Sequence, residues 1–160
     1  DRVLDMTSEQ MNVYKMRIAQ AGIGEMTVIM LEMEMQWIED AVCAYEASDI
    51  QTFTDCVSKA QSVQVELMNV TNVQNEVGYD VYSIYAFINK QLIRAKIKGE
   101  PLDLMRCKGM LEKLHKSFAE IAKTDTSGPI MAGGEKVYAG LTYGTSGLVE
   151  SSMGGTEYKV

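Results

Sequence analysis

The stretch VYSIYAFINKQLI occupies residues 81–93, and its apolar side chains recur every three or four positions. That spacing matches the turn of an α-helix and gives the helix one apolar face. The pattern predicts a helix over residues 76–98 that buries Val77, Val81, Ile84, Tyr85, Ile88, Leu92 and Ala95. Gly99 follows, and glycine suits the left-handed position after a helix end.

Four other segments show the same period. A short leading helix is expected from Thr7 or Ser8 to Ala21, since Thr7-x-x-Gln10 fits a capping box. Gly22 and Gly24 should interrupt the chain before a helix over residues 25–47. A third helix is expected over residues 50–70 after a cap at Ser48 or Asp49, and a last one runs to about residue 123 with Pro101 in its first turn. The helix over residues 25–47 is expected to bury Met26, Ile29, Met30, Met33, Trp37, Ala41 and Ala44. The helix over residues 50–70 is expected to bury Phe53, Val57, Ala60, Val63 and Leu67. The last helix is expected to bury Leu104, Cys107, Leu111, Leu114, Phe118, Ile121 and Ala122.

Short connections between long helices favour antiparallel neighbours. The sequence therefore predicts an all-α fold, an antiparallel four-helix bundle with a short extra N-terminal helix. Residues 1–123 form this domain, and no strand pattern of useful length appears in it.

Composition changes at Thr124, because residues 124–160 hold eight of the 13 glycines. The segment is expected to be an extended or disordered Gly-rich tail. It also carries apolar residues, and this set suggests that residues 137–149 pack on a groove of the same molecule or of a neighbour: Ile130, Met131, Val137, Tyr138, Leu141, Tyr143, Leu148 and Val149.

The net charge of −7 argues against nucleic acid as the main partner. The clustered positive charges Lys90, Arg94, Lys96 and Lys98 complement the negative end of their own helix. The N-terminus does not resemble a signal peptide, and no apolar run is long enough for a membrane span, so no membrane insertion is expected. Cys43, Cys56 and Cys107 lack the spacing of a disulfide framework or zinc site and are expected to be small buried thiols in a reducing cytoplasm.

Catalytic and metal chemistry find little support. Glu112-x-x-His115 has the spacing seen in di-iron bundles, but helix geometry places Glu112 away from the buried face and His115 at its edge. A triad is not expected, because His115 is the only histidine and there is no nucleophile elbow. The sequence predicts no enzyme activity, no metal and no cofactor.

Two sets of side chains allow either core packing or partner binding. Met26, Met30 and Met33 share a helix face with Trp37, and methionine is common on surfaces that fit helical partners. Tyr82 and Tyr85 flank the stripe of the 76–98 helix, where aromatic rings serve both a core and an interface.

Several motifs in order resemble the flagellin-export chaperone family FliS over residues 12–122. Lys59-Ala60-Gln61 precedes Glu66-Leu67 at the family spacing, and the tyrosine motif before a basic pair and leucine resembles residues 82–92. The closing pattern resembles Leu111, Leu114 and Phe118, and Tyr14 stands where the family has an N-terminal tyrosine. The chain departs from the family at Gln20–Gly24, which replaces Thr-Ala-Ser-Pro, and after Met30-Leu31, where Glu32-Met33-Glu34 replaces Tyr-Asp-Gly.

The resemblance implies a cytoplasmic export chaperone that binds the disordered C-terminal region of flagellin. This binding would prevent premature polymerisation and aid delivery to the type III export apparatus. An export-gate protein and a second copy of the chain are further expected partners, and the segment bearing Tyr14 is expected to cover the cargo groove. The predicted partner-binding residues are Tyr14, Ile18, Met30, Met33, Ala60, Gln61, Leu67, Tyr82, Tyr85 and Leu92.

Two alternatives stay open at this point. The altered second helix suits a helical adaptor that binds a different flagellar partner. A bundle enzyme with a carboxylate metal centre is the third interpretation.

Overall fold

The computed structural model describes residues 6–20 and 23–124. All the regular structure in these ranges is helical, which confirms the all-α prediction of a bundle with a short N-terminal helix. The predicted tail, including the expected groove-packing segment 137–149, lies outside the described residues from position 125 onward. The helices are α1 (Ser8–Gln20), α2 (Ile23–Glu46), α3 (Ile50–Val70), α4 (Glu76–Lys98) and α5 (Leu104–Ala122).

Helix α2 lies at the centre of the bundle. It packs closely against both α3 and α5, while α3 packs against α4 and the contact between α4 and α5 is sparse. A central helix must be apolar on most sides, and α2 buries residues well beyond its predicted stripe. The additional buried residues are Val28, Leu31 and Ile38.

Local side-chain hydrogen bonds fix the starts of three helices. The Thr7 hydroxyl accepts from the Gln10 backbone N–H at 3.2 Å and the Gln10 side chain accepts from the Thr7 N–H at 2.9 Å, which confirms the capping box. The Asp49 carboxylate accepts from the Thr52 N–H at 3.1 Å and so caps α3. The Asn75 side chain caps α4 by accepting from the Gly78 N–H at 2.7 Å.

Two predicted helix starts were wrong. Helix α2 begins at Ile23 rather than Glu25, so Gly24 lies within its first turn, where the amides need no intrahelical partner. Helix α5 begins at Leu104, and Pro101 is not in its first turn. Leu102 adopts a φ of 47°, which turns the chain before the helix can start. Gly99 has a φ of 67°, as its position after α4 predicted.

The predicted buried faces of α2 and α3 are buried throughout. The predictions were wrong for Val77, which is 74 % exposed, and for Ile121, which is 61 % exposed. Val77 lies in the first turn of α4 and Ile121 in the last turn of α5. The apolar stripe of each helix therefore extends beyond the part of that helix that packs against its neighbours. Cys56 and Cys107 are buried as expected, but Cys43 is exposed.

Glycine at position 78 is required by the turn between α3 and α4. A Cβ atom built on Gly78 would lie 1.7 Å from the backbone oxygen of Asn72, whereas one on Gly109 in α5 would meet nothing within 4 Å. Both residues are helical, so helix propensity alone favours alanine at each by about 0.5–1 kcal/mol.

We therefore expect opposite effects from one substitution at these two positions. Gly78→Ala should lower the free energy of unfolding by about 1–3 kcal/mol, because the 71–75 turn must shift. Gly109→Ala should raise it by about 0.5–1 kcal/mol. Urea unfolding followed by circular dichroism measures both, and a stabilised Gly78→Ala protein would contradict this account of the turn.

Candidate partner-binding surface

Helix α1 lies along α2 and contributes apolar side chains to the core. Ile18 is buried, and Tyr14 and Met11 are partly buried against the same cluster. Among the described helices, α1 comes close only to the backbone of α2, and the contact between these two helices is small. The ring of Tyr14 has the Arg17 guanidinium 5.8 Å from its centroid. Burial, assisted by the nearby charge of Glu32, raises the pKa of Tyr14.

A small ionic network ties α1 to the bundle. Arg17 pairs with Glu25 at 3.0 Å and also with Glu32, both on α2. The other carboxylate oxygen of Glu32 lies 2.8 Å from Nε2 of His115 on α5. Burial alone would raise the pKa of Glu32, but hydrogen bonds from Arg17 and His115 outweigh it and hold that pKa below its usual value.

Sequence reasoning missed this network. Residues 32 and 115 are 83 positions apart in the sequence. Helical periodicity predicted only that His115 lies at the edge of the buried face of its own helix, and it could not identify a partner on another helix. The available signal was Glu32 itself, a carboxylate at the position where the resemblance described above implies a tyrosine. Glu112 is exposed and faces Lys108 at 3.8 Å, so it does not share a site with His115.

The Lys-Ala-Gln motif has a packing role in this structure. The ammonium group of Lys59 lies 4.4 Å from the centroid of the buried Trp37 ring, a cation–π contact between α3 and α2. Ala60 is fully buried on the side of α3 that packs in the core, and its neighbour Gln61 is half-buried.

A cavity of about 220 Å³ lies at the end of the bundle where α2 begins, α3 ends and α4 begins. Phe118, near the end of α5, also lines it, together with Leu67 and Tyr85 from the predicted set. We call this cavity the end pocket. Its lining is Thr27, Leu67, Val70, Thr71, Asn72, Asn75, Val77, Gly78, Val81, Tyr85 and Phe118.

The structure separates the predicted partner-binding residues into two groups. Seven are buried in the core and three are partly exposed, namely Tyr14, Gln61 and Tyr82. Leu67 and Tyr85 of the buried seven line the end pocket, whereas the other five could touch a partner only after a helix has moved aside. The residue assignment therefore stays a prediction. The seven are Ile18, Met30, Met33, Ala60, Leu67, Tyr85 and Leu92.

Polar groups in the core form a second feature that sequence reasoning missed. The carboxyl oxygens of Glu34 are buried without a hydrogen-bond partner, as are the Tyr85 hydroxyl and the Gln64 amide group. Burial raises the pKa of Glu34 well above its ordinary value, and it raises the pKa of Cys107 to about 11 with a contribution from Glu34. Position 34 lies between Met30 and Trp37 on the predicted buried stripe, so the helical period did contain the signal.

Two classes of site find no support in the part of the chain that the structure describes. None of its helices is long and apolar enough to cross a membrane. Within the same residues, no group of three or more His, Cys, Asp or Glu side chains is arranged to hold a metal ion.

Comparison with known proteins gives the family. No curated protein matches the chain. A family described as "Flagellar protein FliS" matches residues 6–125, three quarters of the chain and all of its described part. The five helices, the Lys-Ala-Gln motif and the α1 segment bearing Tyr14 all lie inside that match. The chain therefore belongs to the FliS family, whose role is that of flagellar export chaperones.

Proposed function

We propose that this chaperone binds the C-terminal segment of flagellin in the cytoplasm, prevents its premature polymerisation and delivers it to the export apparatus. It acts by binding alone, without catalysis. The observation that carries the proposal is the family match over residues 6–125, which contains the helical domain.

The arrangement of α1 suggests how cargo would gain access. Helix α1 covers an apolar part of α2 through Ile18 and Tyr14, and it contacts the rest of the bundle sparsely. An amphipathic segment of flagellin that replaced α1 would bury its own apolar face on the same surface. Cargo ordering and α1 release both cost free energy, which limits the affinity.

Binding is tested directly by titration calorimetry of the full chain with a flagellin C-terminal peptide. We expect saturable binding and a soluble complex with a larger mass. No heat and no change in mass at high micromolar peptide would overturn the proposed function.

Weakening the contact between α1 and α2 should strengthen cargo binding. Arg17→Met removes the pairs to Glu25 and Glu32 while keeping an unbranched side chain, and such partly exposed pairs contribute about 0.5–1 kcal/mol. The apparent affinity for the flagellin peptide should rise about two- to fivefold, since α1 release becomes easier. Lys15→Met, at an exposed position of the same helix, is the matched control.

Equal affinities for the wild type, Arg17→Met and Lys15→Met would show that α1 does not compete with cargo. The flagellin assignment would survive that result, but the route through α1 would not.

A second candidate function is an adaptor for a different helical flagellar protein. It is favoured by one departure from the family: Glu32 joins α1 and α5 through Arg17 and His115 where the family has a tyrosine. Affinity purification of the full chain from its source cells, followed by identification of the bound protein, separates the two functions. The export-gate contact and the homodimer stay predictions.

A further inference from the structure

We propose that the end pocket is the docking site of this chain's own C-terminal segment, residues 129–149. The inference goes beyond the proposed function and does not depend on it.

The surface around the end pocket is unusually apolar for an exposed helix end. Val70 and Val77 line the pocket and remain mostly exposed. Val73, Tyr79 and Ile121 lie in the adjoining turn and helix ends, and each is more than 40 % exposed. A concentration of exposed apolar side chains around a cavity indicates an interaction surface.

The size and chemistry of the pocket fit one or two side chains of a peptide. Its volume of about 220 Å³ is below the roughly 300–1,000 Å³ of pockets that hold whole small ligands. The side-chain oxygens of Asn72 and Asn75 accept bonds from Gln74 and Gly78 within the turn. Their amide nitrogens can therefore donate to the carbonyl groups of an extended peptide in the pocket.

The position of the chain's continuation favours this occupant over others. Phe118 lines the pocket, and helix α5 ends four residues later at Ala122. The sequence then continues to residue 160. The four helical residues from Phe118 to Ala122 span only about 6 Å, and the seven residues from there to residue 129 can span about 23 Å when extended, so residue 129 can return to the pocket. The segment supplies aromatic and aliphatic side chains between glycines, notably Tyr138, Leu141 and Tyr143.

The first test uses amide hydrogen exchange of the full chain and of a tail variant carrying Tyr138→Ser, Leu141→Ser and Tyr143→Ser. Docking predicts faster exchange in the tail variant at residues 71–81 and unchanged exchange in the turn at residues 99–103, at the opposite end. Identical exchange at residues 71–81 in the two proteins would overturn the inference.

The second test adds a synthetic peptide of residues 129–149 to the tail variant, whose pocket would then be free. We expect saturable binding that Val77→Asp weakens at least about tenfold, because a charge replaces a buried apolar contact. Ile97→Asp is the matched control, since Ile97 is 78 % exposed at the other end of α4 and Val77 is 74 % exposed. Equal binding to the Val77→Asp and Ile97→Asp proteins would contradict docking in the end pocket.

Two other occupants give distinct results. Concentration-dependent dimerisation of the tail variant that Val77→Asp abolishes would assign the pocket to a second copy and overturn the inference. Protection of residues 71–81 by a flagellin peptide but not by the 129–149 peptide would assign the pocket to cargo, with the same consequence.

Discussion

Alanine in place of Trp37 will lower the free energy of unfolding by about 3–5 kcal/mol, the usual cost of removing a large buried aromatic side chain. Trp37 is fully buried in α2, the helix that packs against both α3 and α5. Its loss leaves a cavity between these helices and also removes the ring that Lys59 covers at 4.4 Å. Since domains are stable by about 5–15 kcal/mol, this change alone removes a large share of the total.

Two further variants distinguish the volume effect from other causes. Trp37→Phe keeps most of the volume and deletes the indole N–H, which is buried without an acceptor, so it should cost less than about 1.5 kcal/mol. Met105→Ala, at a half-exposed position of α5, should change stability by less than about 0.5 kcal/mol. Urea unfolding measures all three, and a Trp37→Ala protein as stable as Met105→Ala would refute the central position of α2.

The Glu34→Met substitution should have the opposite effect to Trp37→Ala. It should raise the free energy of unfolding at neutral pH by about 1–3 kcal/mol. The Glu34 side chain is fully buried, and neither carboxyl oxygen has a hydrogen-bond partner. Leaving such a group unsatisfied in the core costs free energy, and an apolar side chain of similar length removes that cost. Unfolding curves of the two proteins at pH 7 give the difference.

The same residue makes stability depend on pH. The folded pKa of Glu34 lies well above its ordinary value of 4.5 because burial disfavours the charged form. An acid with a raised folded pKa contributes stability that is complete below the unfolded pKa and is lost as pH rises through the folded pKa. The wild type should therefore lose stability relative to a non-ionisable variant as pH increases above about 4.5.

Glu34→Gln is the matched control for this pH dependence, because it keeps a polar side chain of equal size that cannot ionise. As the pH rises from 5 to 8, the free energy of unfolding of the wild type should fall relative to that of Glu34→Gln. Other groups, such as Glu32 with its lowered pKa, contribute equally to both proteins and cancel. A difference that is constant over this range would show that Glu34 is not held protonated in the core.

The proposed chaperone function has a physical connection to these stability effects. A buried carboxyl group and other unpartnered polar atoms lower the stability of the core, and the limited contact of α1 lowers the cost of its release. Proteins that exchange an internal helix for a partner segment draw the moving element from their least stable parts. Helix α1 fits that description, whereas α2 does not, because it is buried on most sides.

Local sequence was sufficient to predict the helices and most of their buried faces. Helical hydrogen bonds join residues four apart, so the apolar spacing around Ile84 and Ile88 specified both the helix and the side that is buried. The caps at Thr7 and Gly99 depend on equally local contacts and were also predicted correctly. The family resemblance added the family itself, which the match over residues 6–125 confirms.

Only the tertiary structure decided which residues meet. The bond between Glu32 and His115 joins positions 83 apart, and no local period can specify it. The exposure of Val77 and Ile121 depends on where a neighbouring helix ends. The lack of a hydrogen-bond partner for the Glu34 carboxyl group depends on which side chains the surrounding helices place beside it. Short-range hydrogen bonding thus determined the helices from sequence, while side-chain packing between distant segments determined the ionic network, the polar core and the end pocket.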